Sequence, residues 1–228
     1  MRNDFFFLED DLSQIEQFLK FNYSSILHYR DTFEQRLVER SKSLSKDEKD
    51  DLMSNYVDII SDMHFAFPSL FFSNFVVLWF SFIGTNLLKI CKKLDLIEQE
   101  NLRGGIDEAR KLLSRGAKYK FAESTWNEIK LIQKMRNDIV HKYGCIQYKY
   151  SKQQKGNKYV PLKALGDTIY IKIEPNYFKY LEKYRLYDVF EYFYIKPNYE
   201  YCVYLTTFAK ELFEDLDKKL PYKTAKAG

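Results

Sequence analysis

A run of 26 residues, Met63–Leu88, contains no Asp, Glu, Lys or Arg. A chain with such a segment must bury it, pair it with another copy, or place it in a bilayer, because water solvates it poorly. Pro68, Ser69, Ser73, Asn74, Ser81, Gly84, Thr85 and Asn86 interrupt the run, most of them on one half of a helical wheel. That distribution favours a buried central or dimer-forming helix over a membrane span. The helix is expected to start at Pro68, whose missing N–H costs nothing in a first turn. Lys92 and Lys93 close it; they suit the negative end of the helix dipole as well as they suit a phosphate. His64, at the entrance, is expected to pack in the core.

With 8 Gly and 5 Pro in 228 residues, the chain has few tight turns and favours long helices, so the fold class is mainly α. Residues 9–40 predict a long helix with Leu12, Ile15, Leu19, Ile26, Phe33 and Leu37 near one stripe. His28 and Arg30 lie beside that stripe, where a surface position explains the histidine. After the polar turn Ser41–Ser45, the pattern Ser45-Lys-Asp-Glu48 has the form of a capping box. It opens a second helix through Leu52, Tyr56, Ile60 and Met63. Asp47, Glu48, Asp50 and Asp51 complement the positive end of that helix rather than form a metal site. A turn at Arg103-Gly104-Gly105 precedes a short helix over Ile106–Ser114. The basic residues Arg110, Lys111, Arg115, Lys118 and Lys120 then fit either a phosphate-facing patch or a solvated face. Thr125-Trp-Asn-Glu128 fits a second capping box, or the first turns of the next helix. A final helix near 198–220 turns Tyr201, Tyr204, Leu205, Phe208, Leu212 and Leu216 inward.

Between these last two helices the texture changes. Ile146–Ser151 and Thr168–Glu174 alternate like strands around a loop with Gly156 and Pro161, which predicts a β-hairpin over 146–174 inserted in the helical domain. An aromatic helical segment over 176–194 follows. From Ile139 to Gly166 there is no acidic residue, but there are six lysines: Lys142, Lys149, Lys152, Lys155, Lys158 and Lys163. Tyr143, Tyr148, Tyr150 and Tyr159 are interleaved with them. Cations for phosphates and rings for bases are what single-stranded RNA requires; lysines that protect an exposed sheet edge give the same pattern. The chain reads as one domain over 1–220, with 221–228 as a tail.

The net charge of +4 is too mild to indicate nucleic acid without this local distribution. Cys91, Cys145 and Cys202 are odd in number and widely spaced, as in a reducing compartment without a structural zinc site. The amino terminus lacks the layout of a signal peptide, so a cytoplasmic protein is expected. No P-loop, dinucleotide fingerprint, zinc-protease motif, EF-hand loop or nucleophile elbow occurs, and no cofactor is implied.

What remains is the stretch Met135–Gly144, Met-Arg-Asn-Asp-Ile-Val-His-Lys-Tyr-Gly. It closes an amphipathic helix whose stripe is read through Ile129, Ile132, Arg136, Ile139/Val140 and Tyr143. A guanidinium in a core slot must be paired, or must face a cleft, an interface or an anion. His141 follows five residues on, the residue type that titrates near neutrality. Asn137, one turn before it, is placed to hydrogen-bond to it.

Arg136-Asn137-Asp138-Ile139-Val140-His141 resembles the signature of the HEPN superfamily, an Arg and a polar residue followed by His. Through Tyr143 it is similar to the toxins of HEPN–nucleotidyltransferase toxin–antitoxin pairs. The resemblance covers the motif helix and the general helical layout, about half the chain, and implies a HEPN-like helical bundle. It further implies a metal-independent endoribonuclease, a toxin or defence effector, with Arg136 and His141 catalytic. Asn137 would position His141, and Asp138 would restrain Arg136 or orient the histidine. Lys142, Tyr143, Lys149, Lys152, Lys155 and Lys158 would contact RNA. In the toxin branch Tyr143 matches a residue that a nucleotidyltransferase antitoxin adenylylates. A non-catalytic RNA- or nucleotide-binding HEPN module, or a structural helical protein, are the alternatives. Five residues on a helix turn about 140°, so Arg136 and His141 do not share a face. Either the helix unwinds near its end or another chain completes the site. The family favours the second, a homodimer with a shared cleft.

Overall fold

A computed structural model describes the backbone of residues 3–97, 105–142, 145–146, 149–151, 160–164, 167–172 and 193–220, and the side chains of residues 10–97, 105–142 and 195–220. It is mainly α. Helix α1 (Asn3–Ser41) leads through a short turn into α2 (Lys46–Ser61). The capping box forms as the sequence predicts: the Ser45 side chain accepts from the Glu48 N–H, and the Glu48 carboxylate accepts from the Ser45 N–H at 2.8 Å.

The apolar run does not start afresh at Pro68. A π-helical turn, Asp62–Ala66, joins α2 to α3 (Phe67–Lys93) in one continuous rod. Pro68 is the reason. It has no N–H to donate, and its ring crowds the carbonyl one turn back. Widening that turn lets the Phe67 N–H reach the Asp62 carbonyl instead, which absorbs the misfit. The widening also turns His64 outward. It is exposed rather than packed in the core, and its Nε2 lies 2.5 Å from Glu34 Oε1 on α1.

From Phe72 onward α3 is the centre of the fold, packed against α1, α4 (Gly105–Gly116), α5 (Glu123–Lys142) and α6 (Tyr199–Lys219). Phe75, Ile83 and Leu87 are fully enclosed there, each contributing about 1.5–3 kcal/mol of apolar burial. The Trp79 Nε1–H donates to the Leu205 carbonyl at 2.7 Å, satisfying the one polar group of the largest core side chain. Before Phe72 the run is largely open: Met63 is buried, but Phe65, Phe67 and Leu70 are exposed. The rod Lys46–Lys93 is long and apolar enough to cross a membrane by length and composition.

α3 ends in a Schellman motif. Asp95 takes φ +56°, its N–H donates to the Lys92 carbonyl, and the Leu96 N–H reaches back to Cys91. α1 buries Leu19 and Leu37 of its predicted stripe. α6 begins at Asn198, whose side chain caps the Tyr201 N–H at 2.9 Å. It turns Tyr201, Leu205, Leu212 and Leu216 into the core.

Between α5 and α6 the described backbone makes short antiparallel pairings. β1 (Cys145–Ile146) pairs with β5 (Phe193–Tyr194). β2 (Lys149–Ser151) and β3 (Val160–Ala164) both pair with β4 (Asp167–Lys172). Pro161, read as loop, therefore lies in a strand; it is at an edge, where a missing N–H is tolerated. The helix expected over 176–194 falls outside the described residues except at its end, where Phe193–Tyr194 is a strand. The tail 221–228 also lies outside them.

Candidate functional site

α5 carries the motif and stays α-helical through Lys142. Its buried side chains are Trp126, Glu128, Ile129, Ile132, Met135 and Asp138. The stripe therefore passes through Met135, one residue before the slot assigned to Arg136. Neighbours on a helix are about 100° apart, so this difference moves Arg136 to the margin of the core. It is half-buried there.

Arg136 Nη1 donates to Asn137 Oδ1 at 3.0 Å. Its Nε–H is shut off from solvent and has no hydrogen-bond partner among the described residues. A buried unmet donor costs roughly 1–3 kcal/mol, which leaves this guanidinium under-satisfied where it stands. Asn137 is thus engaged by Arg136 and not by His141. His141 is exposed in the last turn, with no hydrogen bond or ion pair among the described residues. With the helix intact to Lys142, unwinding within the motif does not bring Arg136 and His141 together.

Asp138, expected to restrain Arg136 or orient His141, is buried, and its Oδ1 pairs with Lys142 Nζ at 2.7 Å. Lys142, expected on RNA, is exposed but carries this ion pair one turn along the same helix. Lys149 lies in β2, with only its backbone described. Tyr143, Lys152, Lys155 and Lys158 fall outside the described residues.

The upstream basic cluster is partly spoken for. The Arg110 guanidinium lies 4.0 Å from the centre of the Trp126 ring, and Lys111 pairs with Glu108 at 3.6 Å. That is the solvated, structural reading of the cluster for these two residues.

Sequence reasoning missed two features. Of the two readings of Glu128 the second holds, since it lies in the first turns of α5, and what the sequence did not show is that it is buried and accepts a hydrogen bond from the Tyr204 hydroxyl of α6. Its spacing of seven residues before Met135 was the available signal. Beside the motif there is also a groove of about 610 Å³ between the π turn, α3 and the end of α5. Among the described residues no group of three or more His, Cys, Asp or Glu side chains is arranged to hold a metal.

Fold and site together define a helical bundle presenting an arginine with an unmet donor and an exposed histidine near one helix end. Comparison with protein-family models, curated proteins and solved structures gives no match.

Proposed function

We propose that the chain is a metal-independent endoribonuclease of the HEPN type, acting on RNA by attack of a 2′-hydroxyl on the adjacent phosphate. The observation that carries this is the Arg136 guanidinium, its Nε–H unmet, followed on the same helix by the unengaged His141. Arginine binds phosphate oxygens through planar, charge-assisted hydrogen bonds, which strengthen as the phosphorane gathers charge. Histidine takes or gives a proton at pH 7. His141 of one copy removes the 2′-hydroxyl proton as the O2′–P bond forms. His141 of a second copy protonates the departing 5′-oxygen as the P–O5′ bond breaks. The products carry a 2′,3′-cyclic phosphate and a 5′-hydroxyl.

The 140° between Arg136 and His141 on an intact helix supports a site shared across a homodimer in a HEPN-like bundle. The chain then acts in the cytoplasm as a toxin or defence effector. A nucleotidyltransferase antitoxin that adenylylated Tyr143 would block the cleft with a bulky anion. The same divergence favours a second reading, a module that binds RNA or nucleotides through Arg136 without cutting.

The test compares wild type with His141→Ala and Arg136→Ala on single-stranded RNA, with circular dichroism to confirm the fold. Loss of cleavage in both folded variants is the expected result. Binding without cleavage in wild type moves the assignment to the second reading.

A further inference from the structure

The groove beside the motif has two unlike walls. One is the π turn and first half of α3, with Phe65, Ser69, Ser73 and Asn74. The other includes Ile139 and Val140 of α5, with Lys196 on the segment leading to α6. Val140 immediately precedes His141 and stands one turn beyond Arg136, on neighbouring positions of one helix face. Arg136 and His141 are not among its lining residues, so the groove flanks the turn of α5 that carries them.

Three features fit a flat heteroaromatic ring. Phe65 is 61% exposed, leaving an aromatic surface at the groove uncovered. Ser69, Ser73 and Asn74 make no side-chain hydrogen bond among the described residues. On the same helix, Ser81 and Asn86 donate back to the Val77 and Phe82 carbonyls at 2.9 and 3.0 Å. The groove side chains thus keep their donors and acceptors available, within a mainly apolar lining. An apolar surface with a few uncommitted polar groups is how small-molecule sites achieve affinity and orientation together, and about 610 Å³ lies in their usual size range. An apolar ridge from a second copy would cover the same polar groups and leave them unmet.

We propose that this groove is the nucleobase subsite of the RNA substrate, stacking a base beside the scissile phosphate on Phe65 and reading its edge through Ser73 and Asn74. The assignment rests on the ribonuclease reading for its substrate, but it is tested separately from it.

The experiment uses the full chain as wild type, Asn74→Leu and Ser73→Trp. The exposed Asn74 position tolerates loss of its amide, and the tryptophan fills the groove. Cleavage is measured on single-stranded RNAs that vary each base around the cut, and binding of the four ribonucleoside 5′-monophosphates is measured by calorimetry. Wild type should discriminate among bases, and Asn74→Leu should narrow that spread about fivefold to tenfold, the value of one to two hydrogen bonds. Ser73→Trp should lose monophosphate binding. Cleavage and monophosphate binding that stay unchanged in both variants would overturn the subsite. If wild type cuts no RNA, the ribonuclease reading fails, while the titration still decides: base-dependent binding lost in Ser73→Trp supports the groove, and absent or unaffected binding overturns it. A variant that changes only the association state assigns the groove to a second copy and overturns the proposal.

Discussion

Gly84 lies buried in the middle of α3, where α4 crosses it. A Cβ added there would meet Ile106 Cγ1 at 3.4 Å and the Ile106 nitrogen at 3.9 Å, which is contact and not collision. Alanine is favoured over glycine in a helix interior by about 0.8–1.0 kcal/mol. Allowing a little of that for the neighbouring side chain to settle, Gly84→Ala should stabilise the fold by about 0.5–1 kcal/mol. In a domain of this size each kcal/mol moves Tm by about 2–4 °C, so the expected rise is roughly 1–4 °C. Gly84→Val reverses the sign. Its γ-carbons drive toward Ile106, and overpacking of this kind costs about 1–3 kcal/mol. Urea and thermal unfolding followed by circular dichroism read both variants. A lower midpoint for Gly84→Ala, with an unchanged m-value, would refute the reasoning, because the two helix axes would then have to lie closer than described.

Asp138→Ala and His141→Ala should separate in stability. The first removes a buried, ion-paired carboxylate and should cost about 1–3 kcal/mol, whereas the second, at an exposed position, should stay within about 0.5 kcal/mol of wild type by denaturant melt. Tyr119 donates to Asp215 at 2.7 Å, and Lys219 pairs with the same carboxylate at 2.6 Å. Burial raises the Asp215 pKa, but the hydrogen bonds from Lys219 and Tyr119 and the lysine charges outweigh it and leave it lowered. The stability it contributes is present at neutral pH and lost as pH falls through and below the ordinary carboxylate range. Asp215→Asn should therefore flatten that acid limb of a pH–stability curve. Burial pushes the Cys91 thiol up to about 11 and Cys202 well above its ordinary value, so both should resist thiol reagents in the native protein and react on unfolding, as read by mass spectrometry.

The helical framework was legible where periodicity and an end signal agree. Ser45 and Glu48 form their box, Lys92 and Lys93 close α3, and Tyr201, Leu205, Leu212 and Leu216 of α6 turn inward as its spacing predicts. Charge misled where it was buried. Glu128, read as part of a cap or of the first turns of its helix, and Asp138, given a supporting catalytic role by the family resemblance, both occupy the inner face of α5 with partners. Arg136 and Met135 could not be separated by pattern, since positions 100° apart both border the stripe. His64 was drawn into the core by its apolar neighbours. The register shift that turns it out comes from Pro68, and a single proline does not disclose in advance whether a helix will break there or widen.

The most direct measurement is the chemistry of the fragment ends. Single-stranded RNA is incubated with purified protein in EDTA, alongside the same RNA carrying one 2′-deoxynucleotide on the 5′ side of the cut, and the products are analysed by mass spectrometry. The expected result is 2′,3′-cyclic phosphate and 5′-hydroxyl ends from the all-ribose strand, no cut at the deoxy position, and no products with His141→Ala. Cleavage at the deoxy position, or cleavage that persists in His141→Ala, would contradict the assignment of Arg136 and His141 to this reaction.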